Sequence, residues 1–310
     1  MPSIKLPSRF SDNFGDPIQS IINLLSDINQ YADEEEITLN YDDARFTHPF
    51  FSLSLPLIEK QFNRLGRNIN VSRDFQHAVT IDYMGYLHFP YGVDPGMLHG
   101  QEFGEFLSQY EHKSYLPIIN FPVDKSEEAS VITRNFLSAI NTMLLKICGL
   151  SGVMSSALMY LIDEAVANII DHSDDDKGYL LAQYFKSKGY LDIVIADIGK
   201  TLLESYQTSE KHNADVLTDN QAMEAALAGK STKSTNVDRG FGISTSKEML
   251  TSGLNGKYFL WSGNVFNIHT SEINNVVNIP NEIRWQGVYL CLRIPVIPKP
   301  GFNLYDFVEN

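Results

Sequence analysis

Three polar side chains at four-residue intervals interrupt an otherwise apolar stretch of the chain. They are Glu164, Asn168 and His172, in a segment rich in Ala, Ile, Leu and Val. On an α-helix, residues at i, i+4 and i+8 share one face, so a carboxylate, an amide and an imidazole would point the same way. A carboxylate can act as a general base, and an amide oxygen suits a hard cation such as Mg²⁺. The spacing therefore predicts a helix that lines a polar pocket rather than only packing in a core.

Two glycine-bearing segments follow this helix. Asp197 and Gly199 come directly after an apolar run, where a carboxylate can accept a hydrogen bond from an exocyclic amine and glycine lets a planar ring approach the backbone. Gly240 and Gly242 precede another helical run, and backbone N–H groups at such a helix start bind phosphate oxygens. Each segment alone is typical of an ordinary turn. Their order after the polar helix favours a functional site.

In these motifs the chain resembles the GHKL ATPases, which include gyrase, Hsp90, MutL-type proteins, histidine kinases and anti-sigma factor kinases. The resemblance covers residues 126–296. Residues 164–168 match the N-box and residues 197–199 the first glycine box. Residues 239–242 match the second glycine box, and residues 230–238 match the lid over the phosphates. The resemblance implies a C-terminal α/β sandwich of the Bergerat type.

The resemblance also implies ATP and Mg²⁺ as cofactors and gives roles to particular residues. Glu164 would activate water or a protein hydroxyl, Asn168 would hold Mg²⁺, and Asp197 would read the adenine amino group. The residues expected to bind the cofactors are Asn168, His172, Asp197, Gly199, Lys230, Lys233, Gly240 and Gly242.

Three of these assignments have alternatives in ordinary protein structure. His172 can contact phosphate, or it can favour the C-terminus of its helix, where a cationic imidazole is stabilised by the helix dipole. Lys230 and Lys233 can bind phosphate, or they can be solvated loop residues. The sequence leaves each choice open.

Two functions fit this set of motifs. The segment 222–233 is similar to the lid region of the anti-sigma factor kinases, which implies ATP hydrolysis or phosphorylation of a partner protein on Ser or Thr, with Glu164 as base. The chain departs from the family where Thr201 stands in place of the second glycine of the first box, and where Val288 follows Gly287 in place of threonine. These departures favour the alternative, a nucleotide-gated interaction module or scaffold without turnover.

The N-terminal part reads as a smaller α/β unit. Apolar periodicity predicts a helix from Pro17 and strands at 37–41, 68–71 and 115–122, with a second helix at 50–65 between the first two strands. The aromatic stretch from Phe75 to Glu111 has no clear periodicity. This unit resembles, more loosely, a STAS domain. Signalling STAS proteins carry a phosphorylatable serine where this chain has His48. We place the STAS-like unit, which would sense or dock a protein partner, at residues 1–124, and the ATP-binding domain at residues 125–310.

The elements expected in the second domain make an α/β sandwich. Helices are predicted at 125–147, around the polar stripe, at 222–228 and at 241–250; strands are predicted at 178–184, 190–196, 258–261, 265–269 and 287–294. This order predicts an antiparallel or mixed sheet with helices on one face.

Composition excludes several other classes of protein. The net charge of -14 argues against nucleic acid and anionic membranes as partners. We find neither an apolar run long enough to cross a bilayer nor a signal peptide. With only two cysteines and no His/Cys metal spacing, a disulfide framework or transition-metal site is not expected. We expect a soluble cytoplasmic protein with a protein partner, and a homodimer is left open.

Overall fold

Two β-sheets of different kinds organise the chain in the computed structural model, which describes residues 2–98, 102–210, 214–230, 232 and 242–308. The helices are α1 (Gly15–Gln30), α2 (Pro49–Arg64), α3 (Ala78–Tyr86), α4 (Phe103–Leu107), α5 (Glu127–Cys148), α6 (Val153–His172), α7 (Leu202–Gln207), α8 (Asp219–Leu227), α9 (Gly242–Glu248) and α10 (Tyr305–Val308). The strands are β1 (Ser3–Lys5), β2 (Glu36–Asn40), β3 (Asn68–Ser72), β4 (Ile119–Pro122), β5 (Lys177–Phe185), β6 (Tyr190–Ala196), β7 (Lys257–Gly263), β8 (Val265–His269), β9 (Asn274–Asn278) and β10 (Trp285–Pro295).

The smaller sheet is parallel and the larger sheet is antiparallel. Three strands in the order β1-β2-β3 form the first, and seven strands in the order β4-β5-β6-β10-β7-β8-β9 form the second. The predicted α/β class is confirmed. The mixed sheet is wrong for the described strands, because every pairing in the larger sheet is antiparallel. Short turns join β5 to β6, β7 to β8 and β8 to β9, and such turns cannot connect parallel neighbours.

Segments with strong apolar periodicity form the predicted elements, and weakly patterned segments differ from the expectation. The strand expected over 115–122 is confined to β4, which pairs with β5 even though it precedes Asp124. Two short helices, α3 and α4, occupy the aromatic stretch for which no periodicity was evident. The helix α7 and the edge strand β9 were also missed.

The two faces of the larger sheet pack against different parts of the chain. Along β7, Tyr258 and Leu260 belong to the core that includes α5 and α6. Their neighbours Phe259 and Trp261 belong to the core of the N-terminal unit. This alternation is the two-residue period of a strand buried on both sides. Helix α2 covers the second face and contacts β5 and β6, so the N-terminal unit and the sheet share one core.

A buried polar cluster fastens α2 to the sheet. His48 precedes α2, and its Nδ1 accepts a hydrogen bond of 3.3 Å from the N–H of Phe50, so its Nε2 faces the Asp192 carboxylate at 3.1 Å. Arg293 donates two bonds of 2.8 Å to the same carboxylate. Burial lowers the pKa of His48 below its ordinary value, which keeps the imidazole neutral. His48 therefore has a structural role, because it ties the start of α2 to the larger sheet.

The sequence led us to expect no apolar segment long enough to cross a membrane, but helix α6 is long and apolar enough by length and composition, with a mean hydropathy of 1.4. No other helix among the described residues meets this test. Core helices of soluble proteins meet it as well, and α6 packs against β5, β6 and β10. The helix is therefore compatible with a soluble protein.

Candidate functional site

The predicted polar stripe lies along one side of α6. Glu164, Asn168 and His172 are partly buried, whereas Leu161 and Ile169 on the neighbouring face are buried in the core. The helix therefore does two things: it closes one side of the sandwich, and it presents polar groups at the edge of that core.

Tyr160 extends this stripe by one turn and was missed in the sequence. Burial raises the pKa of its phenol to about 12, and the charge of Glu164 adds to the rise. Thr245 of α9 lies on the other side of the phenol and is in hydrogen-bonding contact with it. The sequence contains the necessary pattern, because Tyr160 is four residues before Glu164 and so lies on the same face of the helix.

The second glycine segment meets the stripe at Gly242. A Cβ atom placed on Gly242 would overlap Glu164 Oε2 and would lie 3.4 Å from Asn168 Nδ2. A side chain at this position would displace the Glu164 carboxylate from its place beside Asn168. The structure therefore brings together two motifs that are about seventy residues apart in the sequence.

Asp197 lies at the end of β6 and is 1% exposed. Its Oδ1 accepts hydrogen bonds from the Gly199 N–H at 2.8 Å and from the Ser173 hydroxyl at 2.9 Å. Its Oδ2 accepts one bond of 3.2 Å from the Val288 N–H. Burial raises the pKa of Asp197 to about 7, although all three hydrogen bonds favour the ionised form. The carboxyl group is thus held in place with its second oxygen only partly satisfied.

Neighbouring segments of the chain leave no room for a side chain at position 199. A Cβ atom there would overlap Ser173 Oγ and would lie 3.0 Å from the backbone nitrogen of Asp174. The sequence predicted a glycine that admits a planar ring. The structure shows that Gly199 admits the loop after α6, which carries the serine that contacts Asp197.

Thr201, at the position of the missing second glycine, begins α7. Its hydroxyl accepts a bond of 3.2 Å from the Glu204 N–H, and the Glu204 carboxylate accepts a bond of 2.7 Å from the Thr201 N–H. This reciprocal capping stabilises a helix start, typically by about 1 kcal/mol. Thr201 therefore has a local structural role as the N-cap of α7.

Two adjoining pockets open beside the stripe. The walls of the inner pocket are mainly apolar residues of α6, α9, β6, β7 and β10. Asp197, Ser173 and Lys200 are its polar lining near the end of β6. The outer pocket includes Glu164 and Lys230. Both pockets are lined by Asn168, His172, Leu202, Ser205 and Ile243.

This arrangement can hold a ligand with two chemically different ends. An apolar pocket with one carboxyl acceptor suits a flat ring that carries an amine. A polar pocket with a carboxylate, an amide and a lysine suits an anionic group and a hard cation.

Ser246 of α9 is a further candidate that sequence reasoning missed. It lines the inner pocket, is 7% exposed, and its Oγ has no hydrogen-bond partner. A buried hydroxyl without a partner is costly, and most such groups in proteins are paired. Nothing in the sequence marks this serine, because small polar residues are common in helices.

The start of the predicted lid is anchored to α6 and α7. The Thr232 hydroxyl lies 3.2 Å from His172 Nδ1. The Tyr206 hydroxyl donates a bond of 2.5 Å to the carbonyl of Lys230, and the Ser209 hydroxyl donates one of 3.1 Å to that of Thr232. The Lys230 side chain is exposed and borders the outer pocket. The predicted ligands Lys233 and Gly240 lie outside the described residues.

A metal site built only from protein ligands is not present in the described part of the chain. No group of three or more His, Cys, Asp or Glu side chains is placed there to hold a metal ion. Mg²⁺ commonly keeps waters and phosphate oxygens as ligands and takes only one or two protein groups. The single amide of Asn168 fits a site of that kind.

Asp197 should make the stability of the protein depend on pH. Its pKa of about 7 in the folded protein lies above its ordinary value of 3.8, so between these values the folded protein holds a proton that the unfolded chain releases. The stabilisation is complete below the unfolded pKa and is lost as pH rises through about 7. The free energy of unfolding should fall by about 4 kcal/mol over this range.

Denaturant unfolding of the wild type and of Asp197→Asn, at pH values between about 4 and 8, measures this effect. The variant lacks the titration, and contributions from other groups such as His48 are common to both proteins and cancel. A stability difference that stays constant across the range would contradict the assigned burial of Asp197.

Comparison with protein-family models, with curated proteins and with solved structures gave no match to this chain.

Proposed function

We propose that the protein binds ATP and Mg²⁺ in the two adjoining pockets, as a member of the GHKL type, and transfers the γ-phosphoryl group to water or to Ser or Thr of a partner protein. One observation carries the proposal. The pockets share Asn168 and His172 in their walls, while Asp197 lines only the inner pocket and Glu164 only the outer one. Asp197, which is predicted to bind the adenine amino group, and Glu164, which is predicted to accept the proton, thus line two adjoining pockets.

The inner pocket has the chemistry of a site for adenine. Its apolar walls would bury the faces of the ring, and the Asp197 carboxyl group would accept a hydrogen bond from the exocyclic amine. Ser246, whose buried hydroxyl has no partner, would add a second polar contact to the ring.

The outer pocket has the chemistry of a site for the phosphates. The Asn168 amide oxygen would hold Mg²⁺, which supplies positive charge to the phosphate oxygens when bound. Lys230 would offset further negative charge. Glu164 would take the proton from the attacking hydroxyl of water or of the partner protein.

The finer architectural assignments belong to the same proposal. We infer a Bergerat-type sandwich for the part that contains the antiparallel sheet, and a STAS-like fold for the part that contains the parallel sheet. The helix layer of α5 and α6 over the larger sheet supports the first, and the β2-α2-β3 unit supports the second. A cytoplasmic protein that acts on another protein accords with the acidic composition.

A nucleotide-gated interaction module is the second candidate, and the start of the lid favours it. Thr201 caps α7 where the family has a second glycine, and α7 in turn holds the carbonyls of Lys230 and Thr232 through Tyr206 and Ser209. Nucleotide binding beside these contacts would alter the order of the lid and so change the surface offered to a partner.

Phosphate release and ATP binding, measured on the same preparation with Mg²⁺, separate these functions. Release above the rate in a protein-free control supports phosphoryl transfer, with water as acceptor. Saturable binding with neither phosphate release nor transfer of labelled γ-phosphate to a candidate partner protein supports the gated module. A folded protein that neither binds ATP nor releases phosphate would contradict both.

A further inference from the structure

The last turn of α2, in the N-terminal unit, reaches the loop that follows α6. Arg64 Nη2 lies 2.6 Å from Asp175 Oδ1, and Lys60 Nζ lies 3.7 Å from Asp175 Oδ2. The Asp175 side chain is 2% exposed. A carboxylate buried to this extent needs a close cation, and Arg64 provides the shorter contact.

The same loop contacts the carboxyl group of Asp197. The Asp175 N–H donates to Ser173 Oγ at 3.2 Å, and the Ser173 hydroxyl donates to Asp197 Oδ1 at 2.9 Å. Arg64 Nη1 also donates a long bond of 3.4 Å to the carbonyl of Ile198, the residue after Asp197. One guanidinium group therefore contacts both segments that frame the Asp197 carboxyl group.

We infer that Arg64 is a positioning residue for base recognition: it holds the Ser173 loop and the Ile198 carbonyl so that Asp197 faces the exocyclic amine of the bound base. This inference rests on the proposed nucleotide function. Loss of the guanidinium leaves Asp175 buried beside the more distant Lys60, so the loop relaxes and the Ser173 hydroxyl leaves Asp197. The N-terminal unit thereby controls the selectivity of the site in the second half of the chain.

Two ligands that differ only at the amine isolate this role. The probes are ATP and purine riboside triphosphate, which lacks the exocyclic amine and keeps the ring, ribose and phosphates. The wild type is expected to prefer ATP. Arg64→Ala should lower that preference by about five- to tenfold, the effect of one net hydrogen bond, and should leave affinity for the analogue within about twofold.

Two further variants control for general effects. Arg64→Lys keeps the charge and should retain most of the preference. Arg73→Ala removes a similar ion pair, at 2.6 Å to Glu59 in the same unit, that does not touch Asp175 or Ile198, and it should keep the wild-type preference. If Arg64→Ala does not fold, Asp175→Asn tests the same contact from its other side.

Three results would overturn the inference. Arg64→Ala with the wild-type ratio of affinities would show that Asp197 does not depend on Arg64. Equal weakening of both ligands would show a general structural effect. Failure of the wild-type protein to bind either ligand would overturn the proposed function and, with it, the inference. This outcome is distinguished from the first two because it is seen without any variant.

Discussion

Glu164→Gln is expected to lower the rate of ATP hydrolysis by about 10²–10⁴-fold, the usual contribution of a positioned general base. Glutamine keeps the shape of the side chain against Gly242 and removes its ability to accept a proton. Affinity for ATP should change little, since Glu164 does not line the inner pocket. The comparison is made on phosphate release at saturating ATP and Mg²⁺, together with the ATP dissociation constant.

Asp163→Asn is the matched control for this measurement. Asp163 is next to Glu164 in α6, but it faces α5, where it accepts a bond of 3.3 Å from Asn141. Its replacement should leave the rate unchanged. Equal measurable rates in Glu164→Gln and wild type would remove Glu164 from the chemistry. No hydrolysis by either protein, with ATP still bound, would favour the gated module.

Asp197→Asn is expected to weaken ATP binding by about 1–3 kcal/mol, which is roughly 5- to 150-fold. The amide nitrogen would face the exocyclic amine and the Val288 N–H if it replaced Oδ2, or the Gly199 N–H if it replaced Oδ1. Either arrangement leaves a buried donor without a partner. Titration of ATP into the wild type and the variant measures the difference, with thermal melting to show that both proteins are folded.

Asp174→Asn is a suitable control for the Asp197 variant. Asp174 belongs to the loop after α6, but its side chain is 57% exposed and its nearest cation is Lys200 at 4.0 Å. ATP affinity should be the same as in the wild type. An unaltered affinity in Asp197→Asn would refute the role of Asp197 in reading the base.

Local patterns in the sequence were enough to predict the stripe and most of the larger elements. Helix α6 has a clear apolar period, so the shared face of Glu164, Asn168 and His172 follows from helix geometry alone. The capping of α7 was also readable, because Thr201 and Glu204 have the spacing of a capping box.

Contacts between distant segments could not be predicted in the same way. The approach of Gly242 to Glu164, and that of Arg64 to Asp175, depend on how helices pack on the sheet, which no local pattern encodes. The edge strand β9 was missed for another reason: its sequence, Asn274–Asn278, is rich in asparagine, and among the described strands it pairs only with β8. An exposed edge strand needs no alternation of apolar residues.

Calorimetric titration of ATP with Mg²⁺ into the wild-type protein tests most directly whether the two pockets form one nucleotide site. We expect saturable binding of one ATP per chain, with a dissociation constant below roughly 1 mM, a binding free energy of about -4 kcal/mol or better. A protein shown to be folded by circular dichroism that takes up no ATP at several times that concentration would contradict the account.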